Sequence, residues 1–207
     1  MSVSIPPRAA QLQTEAIVPT EPIWRLTVEQ YHEMIRAGIL TDDDPVELLE
    51  GWLVPKMPKN PPHGVVTRLT QKALDRILPP GWDVRVQDPV TTDTSEPEPD
   101  VVVAHGETRR FVDRHPGPKD VALAIEVAET TLGRDRGLKK RIYARARIPV
   151  FWIINLIDRQ VEVYTSPSGP TKKPDYRRCH VHGLEDDVPV VLEGKEVGLL
   201  KVRDLLP

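Results

Sequence analysis

The segment that most constrains this chain is Val121–Ala128, an apolar run that carries a single acid, Glu126. Side chains alternate along a β-strand, so Ile125 and Val127 would point to one face and Glu126 to the other. A carboxylate buried in such a strand costs on the order of several kcal/mol unless it meets a counter-ion, a proton or a metal. The segment therefore predicts an interior strand whose acid has a specific partner.

A second acid, Asp100, stands at the head of the β-branched run 101–104, which predicts another interior strand. If the two strands pair, Asp100 and Glu126 lie side by side at one rim of the sheet. Two carboxylates suit Mg²⁺, which prefers hard oxygen ligands and keeps much of its water. A nearby lysine would then stabilise the negative charge that develops when water attacks a phosphodiester.

A structural interpretation competes with this one. A lone glutamate in a strand is about as often paired with an arginine at a sheet edge, because ion-pair networks also occupy such sites. Glu47, in a predicted hairpin formed by residues 46–49 and 52–54, is on the same reasoning more typical of a surface residue.

Short motifs occur in a fixed order along most of the chain. They are Glu47-Leu-Leu-Glu-Gly51, His63, Pro99-Asp100, Glu126-Val127, Asp135-Arg-Gly-Leu-Lys139, Tyr143-Ala-Arg and Pro149-Val-Phe-Trp152-Ile-Ile. In this order they resemble the Uma-two type of restriction endonucleases, a family placed in the PD-(D/E)xK nuclease superfamily. The resemblance extends from about Leu26 to Pro207.

The resemblance implies a metal-dependent nuclease core in which Asp100 and Glu126 hold Mg²⁺, with Mn²⁺ as an alternative, and Glu47 is a further catalytic acid. One position departs from the superfamily pattern, which has a lysine two residues after the second acid where this chain has Ala128. The resemblance places the catalytic lysine on the following helix instead, as Lys139.

Three residues are candidates for nucleic-acid contacts. His63 lies in the first turn of a predicted helix, where it can contact a phosphate, although capping and surface roles are more usual. Arg136 and Lys140 belong to the basic stretch 134–147, a local positive surface in a chain whose net charge is −3. A solvated helix face is the competing interpretation of this stretch. Lys140 is also the alternative to Lys139.

The pattern as a whole predicts an α/β fold. A restriction-endonuclease-like mixed central sheet would have the helix 62–78 on one side and the helix 135–147 on the other, with added C-terminal β-strands. A leading helix starts at the capping box formed by Thr27 and Gln30. Residues 1–24 are rich in proline and are expected to form a flexible arm, and 25–207 to form the nuclease-like domain.

The remaining composition narrows the class of protein. The 207 residues suit one domain, and the single cysteine excludes both an intramolecular disulfide and a cysteine zinc site. The chain has no apolar run long enough to cross a bilayer and no visible secretory signal, so a cytoplasmic location is expected.

The function expected from these features is a Mg²⁺-dependent endonuclease-like phosphodiesterase that acts on nucleic acid as a homodimer. The nucleic acid is expected to be DNA, although the sequence does not distinguish DNA from RNA. Two alternatives remain open. One is a nucleic-acid-binding module of the same fold that has lost cleavage, and the other is a structural or interaction protein with a buried Glu126–Lys139 ion pair.

Overall fold

The computed structural model describes residues 22–41 and 43–207. The expected flexible arm, 1–24, therefore lies outside the described residues except for its last three. The helices are α1 (Val28–Arg36), α2 (Pro61–Ile77), α3 (Leu132–Arg134), α4 (Lys140–Arg145) and α5 (Val202–Leu205). A π-helical turn, Asp135–Lys139, joins α3 to α4, and a 3-10 turn occupies Thr108–Phe111.

Within the residues that the structure describes, ten strands form three sheets. The strands are β1 (Val46–Leu49), β2 (Trp52–Pro55), β3 (Trp82–Val86), β4 (Val101–His105), β5 (Val121–Ala128), β6 (Val150–Asn155), β7 (Gln160–Pro167), β8 (Tyr176–His182), β9 (Asp187–Leu192) and β10 (Lys195–Lys201). The central sheet has the order β3-β4-β5-β6-β7-β8, and two hairpins, β1–β2 and β9–β10, form the other sheets. The predicted mixed sheet with added C-terminal strands is confirmed.

The strand directions place the two predicted acids together. All neighbours in the central sheet are antiparallel except β5 and β6, which are parallel and need the helical crossover 132–145 between them. In the β4–β5 pair Val101 lies opposite Ile125. Continuing this register by one residue sets Asp100 opposite Glu126, at the edge where β4 begins and β5 ends. This edge is called the rim below.

Each face of the central sheet has its own apolar core. Ile125, Val127 and Trp152 point to the face covered by α2, the β9–β10 hairpin and α5. Ala124 and Ala128 point to the opposite face and pack with Tyr143 of α4. By alternation Glu126 points to the α4 face, as its position in the strand predicted.

The hairpin β1–β2 closes one side of the rim. Its turn residues Glu50 and Gly51 have positive φ values of 49° and 82°. Backbone hydrogen bonds from Glu96 to Leu48 and from Gly51 to Thr94 attach the hairpin to the loop before β4. The hairpin predicted from the sequence is therefore the element that brings Glu47 to the rim.

Two helix boundaries illustrate what the sequence controls. α1 begins at the predicted capping box, in which Thr27 and Gln30 each accept from the other's backbone amide. The helix expected over 135–147 instead begins at Leu132, contains the π-helical turn and ends at Arg145, because Arg147 adopts a φ of 63°. In the described ranges no helix is long and apolar enough to cross a membrane.

Candidate active site

Asp100 is held at the rim by three groups. Its Oδ2 accepts the backbone amide of Val127 at 2.8 Å and contacts Nε2 of His63 at 3.0 Å. Lys59 Nζ lies 3.6 Å from the other oxygen, Oδ1. The Val127 amide is on the neighbouring strand, so strand pairing itself fixes the Asp100 carboxylate beside Glu126.

Glu126 and Glu47 share the ammonium group of Lys139. Lys139 Nζ donates to Glu47 Oε2 at 2.6 Å and lies 3.3 Å from Glu126 Oε1. The same Glu126 oxygen accepts the hydroxyl of Tyr143 at 2.6 Å. Lys139 is only 2 % exposed, so a cation that the sequence places on a basic helix is in fact enclosed by acids.

The electrostatics of this group follow from burial. Desolvation raises the pKa of Glu126 to about 8, opposed by the charge of Lys139 and assisted by the negative charges of Asp135, Asp100 and Glu47. Burial alone would lower the pKa of Lys139, but the carboxylates of Glu126 and Glu47 outweigh it and raise that pKa above its ordinary value. Lys139 therefore remains protonated, with its Nζ 2.6 Å from Glu47 Oε2. Glu126 is the acid that holds a proton when no further cation is present.

The π-helical turn positions the lysine. Within it the Lys140 amide reaches back to the carbonyl of Asp135, the wide spacing that defines the turn. Asp135 and Lys139 are both buried as a result. Single π-helical turns within α-helices occur often at functional sites. Tyr143 follows Lys139 by four residues and so lies on the same helix face, which explains why both reach Glu126.

The structure brings five of the predicted residues to one cavity of about 60 Å³, called the rim cavity. They are Glu47, His63, Asp100, Glu126 and Lys139. Glu47 is 3 % exposed, so the surface position expected for it from its strand alone is wrong. Its neighbours in sequence do not reveal that the hairpin packs against the π-helical turn.

Arg136 and Lys140 do not line the rim cavity. Arg136 forms a two-bond ion pair with Glu162 at 3.0 and 2.5 Å. Lys140 lies 2.9 Å from Asp175 and its ammonium stands over the ring of Tyr164. Both cations are held by the protein's own acids.

Three residues at the site carried no predicted role. Asp135 is 2 % exposed, and burial raises its pKa to about 6 although Thr131 donates to it at 2.6 Å. Tyr143 and Lys59 contact Glu126 and Asp100 as described. Asp135 and Tyr143 occur within motifs that carry the family resemblance, which is the signal that could have singled them out.

The residues around the rim cavity fit a divalent cation in donor type and in charge. Its walls carry six acidic and four basic side chains. Asp100 Oδ1 and Glu126 Oε2 make no hydrogen bond within residues 22–41 and 43–207. Carboxylate oxygens are the ligands that Mg²⁺ prefers. In the described part of the chain no three His, Cys, Asp or Glu side chains already converge on one point as a metal site.

Comparison with known proteins gives consistent results. The family model described as “Uma2: Putative restriction endonuclease” matches residues 28–199. Among solved structures, the chain is similar to a protein from Anabaena variabilis described as “a putative nuclease belonging to DUF820”. The TM-score is 0.60 at 16 % identity, covering 87 % of this chain and 97 % of that one. This likeness confirms the predicted nuclease-like α/β fold. None of the curated proteins compared gives a significant match.

Proposed function

This chain belongs to the Uma2 family of “putative restriction endonucleases”, and from that membership we propose that it is a divalent-metal-dependent endonuclease acting on DNA. The family and the nuclease-like fold support a nuclease. The observation that carries the finer proposal is the rim itself. There Asp100 and Glu126 stand on facing positions of adjacent strands, with Lys139 3.3 Å from Glu126.

Asp100 and Glu126 are the residues that would hold Mg²⁺ or Mn²⁺. When bound, such an ion supplies a polarised phosphate and an activated water, the usual requirements of phosphodiester hydrolysis. Asp100 presents Oδ1 because Val127 and His63 engage Oδ2. Glu126 presents Oε2 because Tyr143 and Lys139 engage Oε1.

Lys139 would stabilise the negative charge that develops on the phosphate. Its side chain is almost completely shielded from solvent, and a fixed charge acts more strongly there than it would in solution. Glu47 keeps Lys139 charged and aimed at the rim, at 2.6 Å. Glu47 is thus a positioning residue in this proposal, and Lys139 is the catalytic one.

Cleavage of supercoiled plasmid DNA tests the proposal. The wild type is expected to nick or linearise the plasmid in Mg²⁺ and to lose this activity in EDTA. Asp100→Asn and Lys139→Met are expected to reduce the rate by about 10²-fold or more, on the scale of losing one charge-stabilising group. Glu107→Gln changes an exposed acid outside the site and serves as the matched control. Equal activity in Asp100→Asn and Glu107→Gln would contradict the assignment.

One observation favours the second candidate, a structural or interaction protein. Lys139 already forms ion pairs with Glu47 and Glu126. A buried group of paired charges can serve only to make the protein adopt one specific fold. The double change Glu126→Gln with Lys139→Met separates the candidates. Under the nuclease proposal it abolishes cleavage whatever it does to stability. A wild type with no cleavage and no DNA affinity, together with a double variant of clearly lower stability, would favour the structural role.

Two expectations remain predictions. An endonuclease that cuts both strands of DNA is expected to act as a homodimer, which light scattering of the purified chain can measure. The cytoplasmic location is likewise still a prediction. Neither is needed for the chemistry proposed at the rim.

A further inference from the structure

Several cations of the basic stretch 134–147 are paired with the protein's own acids. Arg136 pairs with Glu162, and Lys140 with Asp175. Arg141 contacts Glu50 through two nitrogens. Each pair neutralises a cation that would otherwise attract phosphates. Arg134, which lines the rim cavity, makes no salt bridge with any described residue. The paired cations favour a second positive surface beside this cavity as the place where a nucleic acid binds.

A groove of about 550 Å³ lies beside the rim cavity, between the first half of α2 and the end of β3. We call it the α2 groove. Its walls are Lys59, Asn60, Pro61, Gly64, Thr67, Arg68, Gln71, Val86 and Gln87. It contains two cations and no acid. Lys59 and Asn60 line both the groove and the rim cavity, so the two are continuous.

The two cations of the groove, Lys59 and Arg68, are placed so that successive phosphates of one nucleic-acid strand could contact them. Lys59 stands where the groove meets the proposed catalytic acids. It forms an ion pair with Asp100 Oδ1, but the pair is long, at 3.6 Å, and the lysine is exposed, so a phosphate can still reach its ammonium group. Arg68 is exposed and makes no salt bridge with any described residue. It lies nine residues further along, on the helix wall of the groove. One cation is thus at the catalytic end and one is further out along the same path.

The shape of the α2 groove also allows a ligand to come close to the surface of α2. Residues 60, 64, 67, 68 and 71 recur at the spacing of one helix face. At Gly64 an added side chain would meet nothing within 4 Å, so the helix surface is open there. On the opposite wall the Gln87 amide donates to the Asp100 carbonyl at 3.2 Å, which ties the groove to the strand that carries the proposed metal ligand.

We propose that the α2 groove binds the DNA backbone beside the phosphate to be cleaved, with Lys59 and Arg68 as its phosphate contacts. This inference rests on the proposed function and names the surface through which the substrate reaches the site. Phosphate contacts of this kind supply affinity without sequence preference.

Equilibrium binding tests the inference without any cleavage. Fluorescence anisotropy of a labelled 20-base-pair DNA duplex is measured in EDTA at several salt concentrations. Arg68→Ala is expected to weaken binding roughly three- to tenfold and to lower the salt slope by about 1, the signature of one lost phosphate contact. Arg76→Ala is the matched control, because Arg76 is exposed on the last turn of the same helix and outside the groove.

A second variant adds charge instead of removing it. Gly64→Glu places a carboxylate in open space on a helix, where glutamate is well tolerated, so the protein is expected to fold and to bind DNA more weakly than Arg68→Ala. Normal DNA binding by both groove variants, or a loss in Arg136→Ala with none in Arg68→Ala, would overturn the inference. Tighter binding of an RNA duplex of the same sequence would overturn its DNA assignment. A wild type that binds no nucleic acid would instead remove the proposed function itself.

Discussion

Glu126 is the residue whose surroundings matter most for the chemistry. Its carboxyl is buried at the end of an interior strand, shares Lys139 with Glu47, and receives the Tyr143 hydroxyl. Because Glu126 and Glu47 share the single ammonium group of Lys139, the positive charge near Glu126 is not enough to keep it ionised. Its pKa of about 8 means that the acid carries a proton at neutral pH until a cation arrives.

The raised pKa of Glu126 affects the pH dependence of the stability of the fold. The pKa of Glu126 is about 8 in the folded protein and has its ordinary value of 4.5 in the unfolded chain. Between these two pH values the folded protein therefore holds a proton that the unfolded chain has released. Stability is therefore expected to fall as pH rises through this window, by at most about 1.4 kcal/mol per pH unit for one group.

Glu126→Gln should flatten that dependence. Glutamine keeps an acceptor for Tyr143 but cannot ionise, so the variant is expected to lose less stability than the wild type between pH 6 and 8. Asp135, with a pKa of about 6, contributes mainly below this range. The measurement is urea unfolding in EDTA across the range, with Glu107→Gln as control. The same slope in Glu126→Gln and wild type would contradict the buried, protonated state.

At this scale the sequence predicted part of the site. Asp100 and Glu126 could be paired because both stand at the ends of strongly apolar strands whose pairing was foreseeable. The burial of Glu47 and Asp135 was not foreseeable from their own segments. Each is enclosed by a part of the chain distant in sequence, as the 2.6 Å contact between Glu47 and Lys139 illustrates.

Among the elements, the β1–β2 hairpin is critical because it carries Glu47. Its turn has a close counterpart in the β9–β10 hairpin. Glu50 and Gly51 have φ values of 49° and 82°, and Glu193 and Gly194 have values of 48° and 78°. The two turns thus have the same sequence and nearly the same backbone, but different surroundings. A side chain at Gly51 would meet Arg25 Cβ at 2.6 Å, and one at Gly194 would meet nothing within 4 Å.

This pair allows a controlled test of the hairpin. Gly194→Ala is expected to cost about 1 kcal/mol, the price of placing a side chain in left-handed backbone. Gly51→Ala adds a clash with Arg25 Cβ to the same strain, so its loss of unfolding free energy should be clearly larger. Because Glu47 moves with the hairpin, Gly51→Ala should also slow DNA cleavage. Equal unfolding midpoints for the two variants would contradict the close packing of the turn against Arg25.

Elements buried on both faces were the easiest to predict. Val121–Ala128 has the predicted bounds because it is an apolar run interrupted by a single acid. The π-helical turn was missed, since its extra width comes from the packing of Asp135 and Lys139 into the rim cavity and has no local capping signal.

At the scale of the whole molecule, function depends on one crossover. β5 and β6 are the parallel pair of the central sheet, and the connection between them must pass over one face. That connection carries Lys139 and Tyr143, and it passes over the face to which Glu126 points. The α/β class and the mixed sheet were predictable from the strand and helix pattern, whereas the pairing of the basic stretch with the protein's own acids depends on long-range packing.

Titration calorimetry with Mn²⁺ tests the central claim, that Asp100 and Glu126 form one cation site, most directly. In two buffers of different ionisation enthalpy at pH 7, the wild type is expected to bind one ion per chain and to release about one proton, because Glu126 must ionise to become a ligand. Asp100→Asn should remove this binding, and Glu107→Gln should retain it. A wild type that binds no Mn²⁺, or an Asp100→Asn variant that binds it equally well, would contradict the account.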